Sequence, residues 1–167
     1  MTKNMTDISP KALTKANFSR YGDVISVDDA DEYFSINEGN TMRYHNLAKV
    51  DVADGNGQVL VNIFRSKPLD FPIAIKMMER HPLGSQAFIP MGKQPYLVVV
   101  APAGKFDAAS IEVFIASAEQ GVNYHKGTWH HFCLALNENS DFLVIDRGGD
   151  GDNCDVQSLD GSIKIIE

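Results

Sequence analysis

Two short stretches gather the side chains that could do chemistry. The first is FPIAIKMMERHP, which carries Glu79-x-His81 and is followed by Gln86. The second is GVNYHKGTWHHF, Gly121 to Phe132, which holds Tyr124, His125, His130, His131 and the only tryptophan. A carboxylate set among imidazoles can transfer protons near neutral pH, because burial and mutual coupling shift both kinds of group toward the working range. The same groups can hold a divalent ion, since each offers a lone pair. His130 and His131 are adjacent, so in extended chain they point to opposite faces and only one can enter a pocket. Phe132 and Leu134 continue the row of His130, and Cys133 continues that of His131. Both rows are apolar, so the spacing leaves the choice open.

These groups must be placed by strands. In the first stretch Phe71, Ile73, Ile75, Met77, Glu79 and His81 have one parity, which on a strand is an apolar row ending in a carboxylate and an imidazole. Burying that pair is costly unless the two bond to each other, to a ligand or to a metal. A helix over residues 73–80 is the competing assignment and destroys the parity. QAFIP, PYLVVVAP, FCLALN, DFLVIDRG and GSIKIIE are further strands. AKVDVADGNGQVLVNIFRS predicts a hairpin turning at Asp54–Gly57, with Val59, Val61, Ile63 and Arg65 on one face of its second strand. Arg65 then either snorkels to solvent or sits at a pocket mouth. Two helices are predicted: one from a Ser9 cap with Pro10 at its first position to about Phe18, the other from an Asp107 cap to Gly121. Many short strands and few helices favour a mainly β fold, a barrel or sandwich.

The 167 residues fit one domain, 1–167, with residues 1–8 a flexible extension. The net charge of −7 argues against nucleic acid and anionic membranes as partners, though not against a small acid in a local pocket. MTKNMTDISP lacks the apolar core of a signal peptide, and no run is long enough to span a bilayer. Cys133 and Cys154 follow no metal-site spacing and are expected as reduced thiols, which together with the missing leader predicts a cytoplasmic protein. In DRGG, Asp146 and Arg147 are read as an ion pair before a glycine turn.

The two stretches resemble the paired metal-site motifs of cupin barrels. Glu79-x-His81, Gln86 and Gly92 stand where that pattern has His-x-His, a glutamate and a glycine; His125-x-Gly127-x-x-His130 stands where it has Pro-x-Gly-x-x-His. Glu79, Gln86 and His125 depart from the pattern, and a neutral amide is a poor metal ligand. Over longer strings, ERHPLGSQAFIPM, EQGVNYHKGTWHH and DFLVIDRGGDGDNCDV, with FSRYGDVI and RYHNLA, the chain resembles the bacterial ureidoglycolate lyases. That resemblance implies a cupin-like, jelly-roll type β-barrel with a few short helices, a homodimer, and elimination of urea from ureidoglycolate to give glyoxylate. It associates nickel with the family, while a metal-independent reaction stays open.

Under that reading Glu79, His81 and His130 are the catalytic residues, and the same three with Gln86 are the metal-ligand candidates. Arg65 and Arg43 are candidates for the substrate carboxylate, with Arg65 preferred and a surface ion pair the alternative for Arg43. Gln86 is assigned to the ureido group, and Tyr124 either holds the substrate hydroxyl or anchors its strand. The alternatives are an amidohydrolase on the same substrate, a non-enzymatic cupin binding a small acid, and a metal-dependent oxygenase.

Overall fold

The computed structural model describes residues 5–167 of the chain. In chain order its strands are β1 (Thr6–Ile8), β2 (Lys11–Ala12), β3 (Gly22–Ile25), β4 (Tyr33–Ile36), β5 (Thr41–Tyr44), β6 (Gln58–Ser66), β7 (Ile73–Ala74), β8 (Met77–Arg80) and β9 (Gln86–Pro90). They continue with β10 (Tyr96–Ala101), β11 (Glu112–Ala116), β12 (Gly121–Tyr124), β13 (Trp129–His130), β14 (Leu134–Ala135), β15 (Ser140–Gly148), β16 (Asp155–Ser158) and β17 (Ile163–Ile165). The fold is mainly β, as a cupin-like barrel requires. One sheet runs β16-β8-β13-β10-β11-β2, with β14 also on β10; a second runs β3-β12-β9-β15-β6. A small sheet, β1-β17-β7, and the separate hairpin β4-β5 complete it.

The alternation along β10 shows how the layers stack. Tyr96, Val98 and Val100 point into a core shared with Phe88, Val122, Phe142 and Val144 of the second sheet. Leu97, Val99 and Ala101 point the other way, into a core with Ile73, Ile75 and Ile165. All six are buried, which is why PYLVVVA reads as an unbroken apolar run and not as an alternating one.

Several local expectations are corrected. Thr6–Ile8, placed in the flexible extension from sequence, form β1, a parallel partner of β17; residues 1–4 lie outside the described part. The first helix is only α1 (Lys15–Phe18), capped by Thr14 through a capping box with Asn17, while Lys11–Ala12 pair with β11. Asp107 does cap a helix, but that helix is a single turn over Ala108–Ser110. The β-branched and aromatic run EVFIA beyond it pairs with β10 instead, so sheet pairing overrides the apparent helical spacing. No hairpin forms at Asp54–Gly57: β6 takes β15 as its partner along its whole length, because DFLVIDRG offers a nine-residue complementary register.

Candidate active site

The parity argument at Glu79 holds only in part. Ile75 donates its N–H to Ile163, and Leu159 donates to the Lys76 carbonyl, so the chain changes partners between β7 and β8. Buried residues therefore switch from Ile73 and Ile75 to Met78, while Glu79 and His81 face the other side. The apolar row does not lead into the pair; a break in pairing sets them apart.

β13 lies antiparallel to β8 with His130 opposite Glu79. The rings of His81 and His130 have centroids 5.1 Å apart, and the ligating atoms of Glu79, His81 and His130 all lie within 4.8 Å of one another. Gly127, at φ 82°, lets the chain turn so that its N–H donates to the His81 carbonyl at 3.0 Å, tying the two stretches together. His130 is the histidine that enters the site. It stacks flat on Tyr124, with centroids 4.2 Å apart and an interplanar angle of 2°. His131 faces away and packs against Phe132, as alternation requires.

The tautomers follow from the partners. His130 Nδ1 lies 3.0 Å from the His131 carbonyl and His81 Nδ1 lies 2.7 Å from the Asn153 carbonyl. A carbonyl only accepts, so each Nδ1 carries the proton and each Nε2 presents a lone pair. Both Nε2 atoms are buried and have no hydrogen-bond partner among the described residues. Burial, reinforced by the neighbouring His81, pushes the His130 pKa down to about 3. At neutral pH His130 is therefore uncharged, and the 3.9 Å approach of its Nδ1 to the Glu79 carboxylate is not an ion pair. Metal-binding histidines are commonly held in this way, with the far nitrogen donating to a carbonyl and the near one bare. Two imidazoles and a carboxylate, with one ligand atom of each within 4.8 Å of the others, make a group that could hold a divalent ion.

This geometry predicts a pH effect on metal-free protein. Unfolding lets His130 return to an ordinary pKa near 6.5, so between about 3 and 6.5 the unfolded chain binds the extra proton. Stability from this group is complete above pH 6.5 and is lost as pH falls, by up to about 1.4 kcal/mol per pH unit. Urea unfolding of wild type and His130→Asn at pH 5 and 7 checks it: the variant should lose part of the slope.

Other predicted site residues are placed as follows. Gln86 is buried on β9, opposite Tyr124 in register, donating from Nε2 to Asp146 at 3.0 Å and leaving Oε1 without a partner. Tyr124 is buried, and desolvation first of all holds its phenol well above the usual range, so it stays protonated. Arg65 is not brought to the site. It lies on the outer face of β6, 73% exposed in its side chain, in a bidentate pair with Asp141 at 2.8 and 3.0 Å. Arg43 sits on the hairpin over the ring of Phe34. His125 is on the surface, 3.2 Å from Asp23.

Sequence reasoning missed Asp146, Asn153 and Cys154. Asp146 does not pair with Arg147; it accepts from Asn62 and Gln86, whereas Arg147 is buried and donates to the carbonyls of Asp54, Gly55 and Asp150. Its signal was available, for it extends the buried row of Phe142 and Val144. Asn153 accepts from His81 through its carbonyl and from Leu83 through its side chain. Cys154 is a free thiol whose Sγ lies 3.7 Å from Glu79 Oε2. Burial and the Glu79 carboxylate raise its pKa, so it is a donor to Glu79 and not a thiolate. Neither residue carried a signal in spacing.

Comparison with known proteins bears on the same residues. The profile described as ureidoglycolate lyase matches residues 5–166. A ureidoglycolate lyase of Burkholderia mallei is 54% identical over 163 residues, covering 98% of this chain and 95% of that protein. One from Pseudomonas fluorescens is 49% identical over 155 residues, 92% of each chain. One from Pseudomonas syringae pv. tomato is 45% identical over 163 residues, 97% and 95% of the two. With the match spanning every element that builds the cluster, the chain belongs to the ureidoglycolate lyase family.

Proposed function

We infer that the Glu79–His81–His130 cluster is the active site of a lyase that releases urea from ureidoglycolate and leaves glyoxylate, a step of allantoin degradation. The observation that carries this reading is the clustering of Glu79 with two imidazoles, each with a buried Nε2 that has no partner among the described residues, in a chain of this family. The substrate is an N-acyl hemiaminal bearing a carboxylate. Its hydroxyl must lose a proton as the carbon–nitrogen bond breaks, and the departing urea nitrogen must gain one.

A base with a pKa near 3 holds a proton poorly at neutral pH, so His130 acts through its lone pair and orients what binds there. Glu79 takes the hydroxyl proton and, as the carboxylic acid so formed, delivers it to the departing urea nitrogen, while the bare Nε2 of His81 accepts a hydrogen bond from the substrate and orients it for that transfer. Each such transfer contributes roughly 10²–10⁴-fold in rate. Gln86, fixed by Asp146, offers its free carbonyl oxygen to the ureido N–H groups. Tyr124 supports the His130 ring. A divalent ion would be held by Glu79, His81 and His130; once bound, it would polarise the substrate hydroxyl and stabilise the developing alkoxide.

Glu79→Gln and His81→Asn test the assignment. Each should reduce kcat by at least about 10²-fold while glyoxylate still binds. Turnover within twofold of wild type in both would remove the chemistry from this cluster.

A further inference from the structure

We propose that the β4–β5 hairpin is an arm that seats on the β6 edge of a second copy of this chain and brings Arg43 to the mouth of that copy's site. The proposal rests on the lyase reading, because it is the substrate carboxylate that calls for a cation.

The chain has five arginines, and four are committed elsewhere. Arg20 lies over Tyr21 and beside Glu112. Arg65 pairs with Asp141, and Arg80 pairs with Asp155 over the Trp129 ring. Arg147 is spent on backbone carbonyls. Arg43 lies over the face of Phe34, at 5.8 Å, is exposed, and makes no hydrogen bond or ion pair among the described residues. His45 packs on the same ring, with its Nδ1 shielded and unpartnered. A guanidinium and an imidazole thus share one side of a projecting hairpin.

β4 and β5 pair only with each other among the described residues, and an isolated two-stranded hairpin is marginal in water. Yet this one displays Tyr33, Phe34, Met42 and Tyr44 to solvent. β6 has the complementary defect. It is the outermost strand of its sheet, bonded only to β15, and both its faces are apolar and open: Val59, Val61 and Ile63 outside, Leu60 and Phe64 inside. Free edges of this kind are normally blunted by charge or proline, and this one carries no charge before Arg65.

The inner face of β6 is also joined to the site through a row of aromatic rings. Phe64 packs on Phe88 at 5.6 Å, Phe88 on Tyr124 at 5.8 Å, and Tyr124 on His130 at 4.2 Å. A partner seated on the inner face of β6 therefore lies at the outer end of the aromatic row that leads to His130. The nine side chains named on the hairpin and β6 are each 37–67% exposed. Together they offer roughly 800 Å² per copy, the share each partner gives to a standard stable interface. A two-fold pairing satisfies both defects at once, since each copy lends its arm and receives the other.

Complementation between variants decides it. Arg43→Ala should retain the dimer and lose roughly 10²-fold in kcat/KM, mostly through KM. His130→Ala should lose nearly all turnover; His81→Asn replaces it if that variant fails to fold. When the two chains are refolded together, a hybrid dimer has one site with intact His130 and a donated Arg43. Random pairing then restores about a quarter of wild-type activity. Activity no higher than the mean of the separate variants, with hybrids verified by native mass spectrometry, would overturn the proposal. So would wild-type kcat/KM in Arg43→Ala. Val61→Asp tests the surface apart from the reaction: sedimentation should show a dimer becoming a monomer, and an unchanged state would again count against the arm. A wild-type protein that releases no glyoxylate would instead refute the lyase reading beneath it.

Discussion

His130→Asn should lower kcat for glyoxylate release by about 10³-fold and weaken divalent-ion binding by roughly 10–100-fold. Asparagine can reproduce the N–H that His130 Nδ1 donates to the His131 carbonyl, so the local backbone is spared. What it removes is Nε2, the buried lone pair without a partner among the described residues. The flat stack on Tyr124 is lost with the ring, which adds a modest packing cost. Turnover measurements and calorimetric nickel titration of the same samples separate the effects. A fall in kcat with nickel affinity unchanged would make His130 a substrate-orienting group only; neither changing would remove it from the site.

Arg147→Met should cost about 3–5 kcal/mol of stability, a large share of the 5–15 kcal/mol typical of a domain. The guanidinium makes two bonds to the Asp54 carbonyl and one each to those of Gly55 and Asp150. Removing it leaves buried acceptors unpaired at roughly 1–3 kcal/mol each. It also frees the Asp54–Gly57 turn from the end of β15, where Gly84 already sits so close that a Cβ there would lie 2.7 Å from Arg147 Cβ. Lysine cannot substitute, since its single ammonium cannot span three carbonyls. Urea denaturation followed by circular dichroism reads the loss. Activity of the variant that remains folded should be near that of wild type, because the hydrogen bonds of Arg147 go to the Asp54, Gly55 and Asp150 carbonyls and none goes to Glu79 or the histidines.

The chemistry was more legible than the scaffold. Glu79, His81 and His130 stand out because a carboxylate and imidazoles among apolar residues need a reason to be there, and the fold brings those three together. Gln86 and Tyr124 were legible for the same reason. Arg65 misled because periodicity says which residues share a face and not which face is buried; on an edge strand both rows are open. Asn153 and Cys154 were invisible because they act from a loop opposite β8, one of them through a backbone carbonyl, and main-chain contacts leave no trace in residue type. The second helix was misjudged because IEVFIA satisfies helical spacing and strand propensity together. Its antiparallel pairing with β10, from Tyr96 opposite Ala116 to Val100 opposite Glu112, decides for the strand.

The most direct test is to measure the products formed from ureidoglycolate by wild-type protein as purified, after verified chelation, and after nickel is restored. The account predicts glyoxylate and urea in equal amounts with no ammonia, and it predicts that activity depends on Glu79 and His81 in every preparation that turns over. Ammonia in place of urea, or no enzyme-dependent product from folded, nickel-supplied protein, would contradict it.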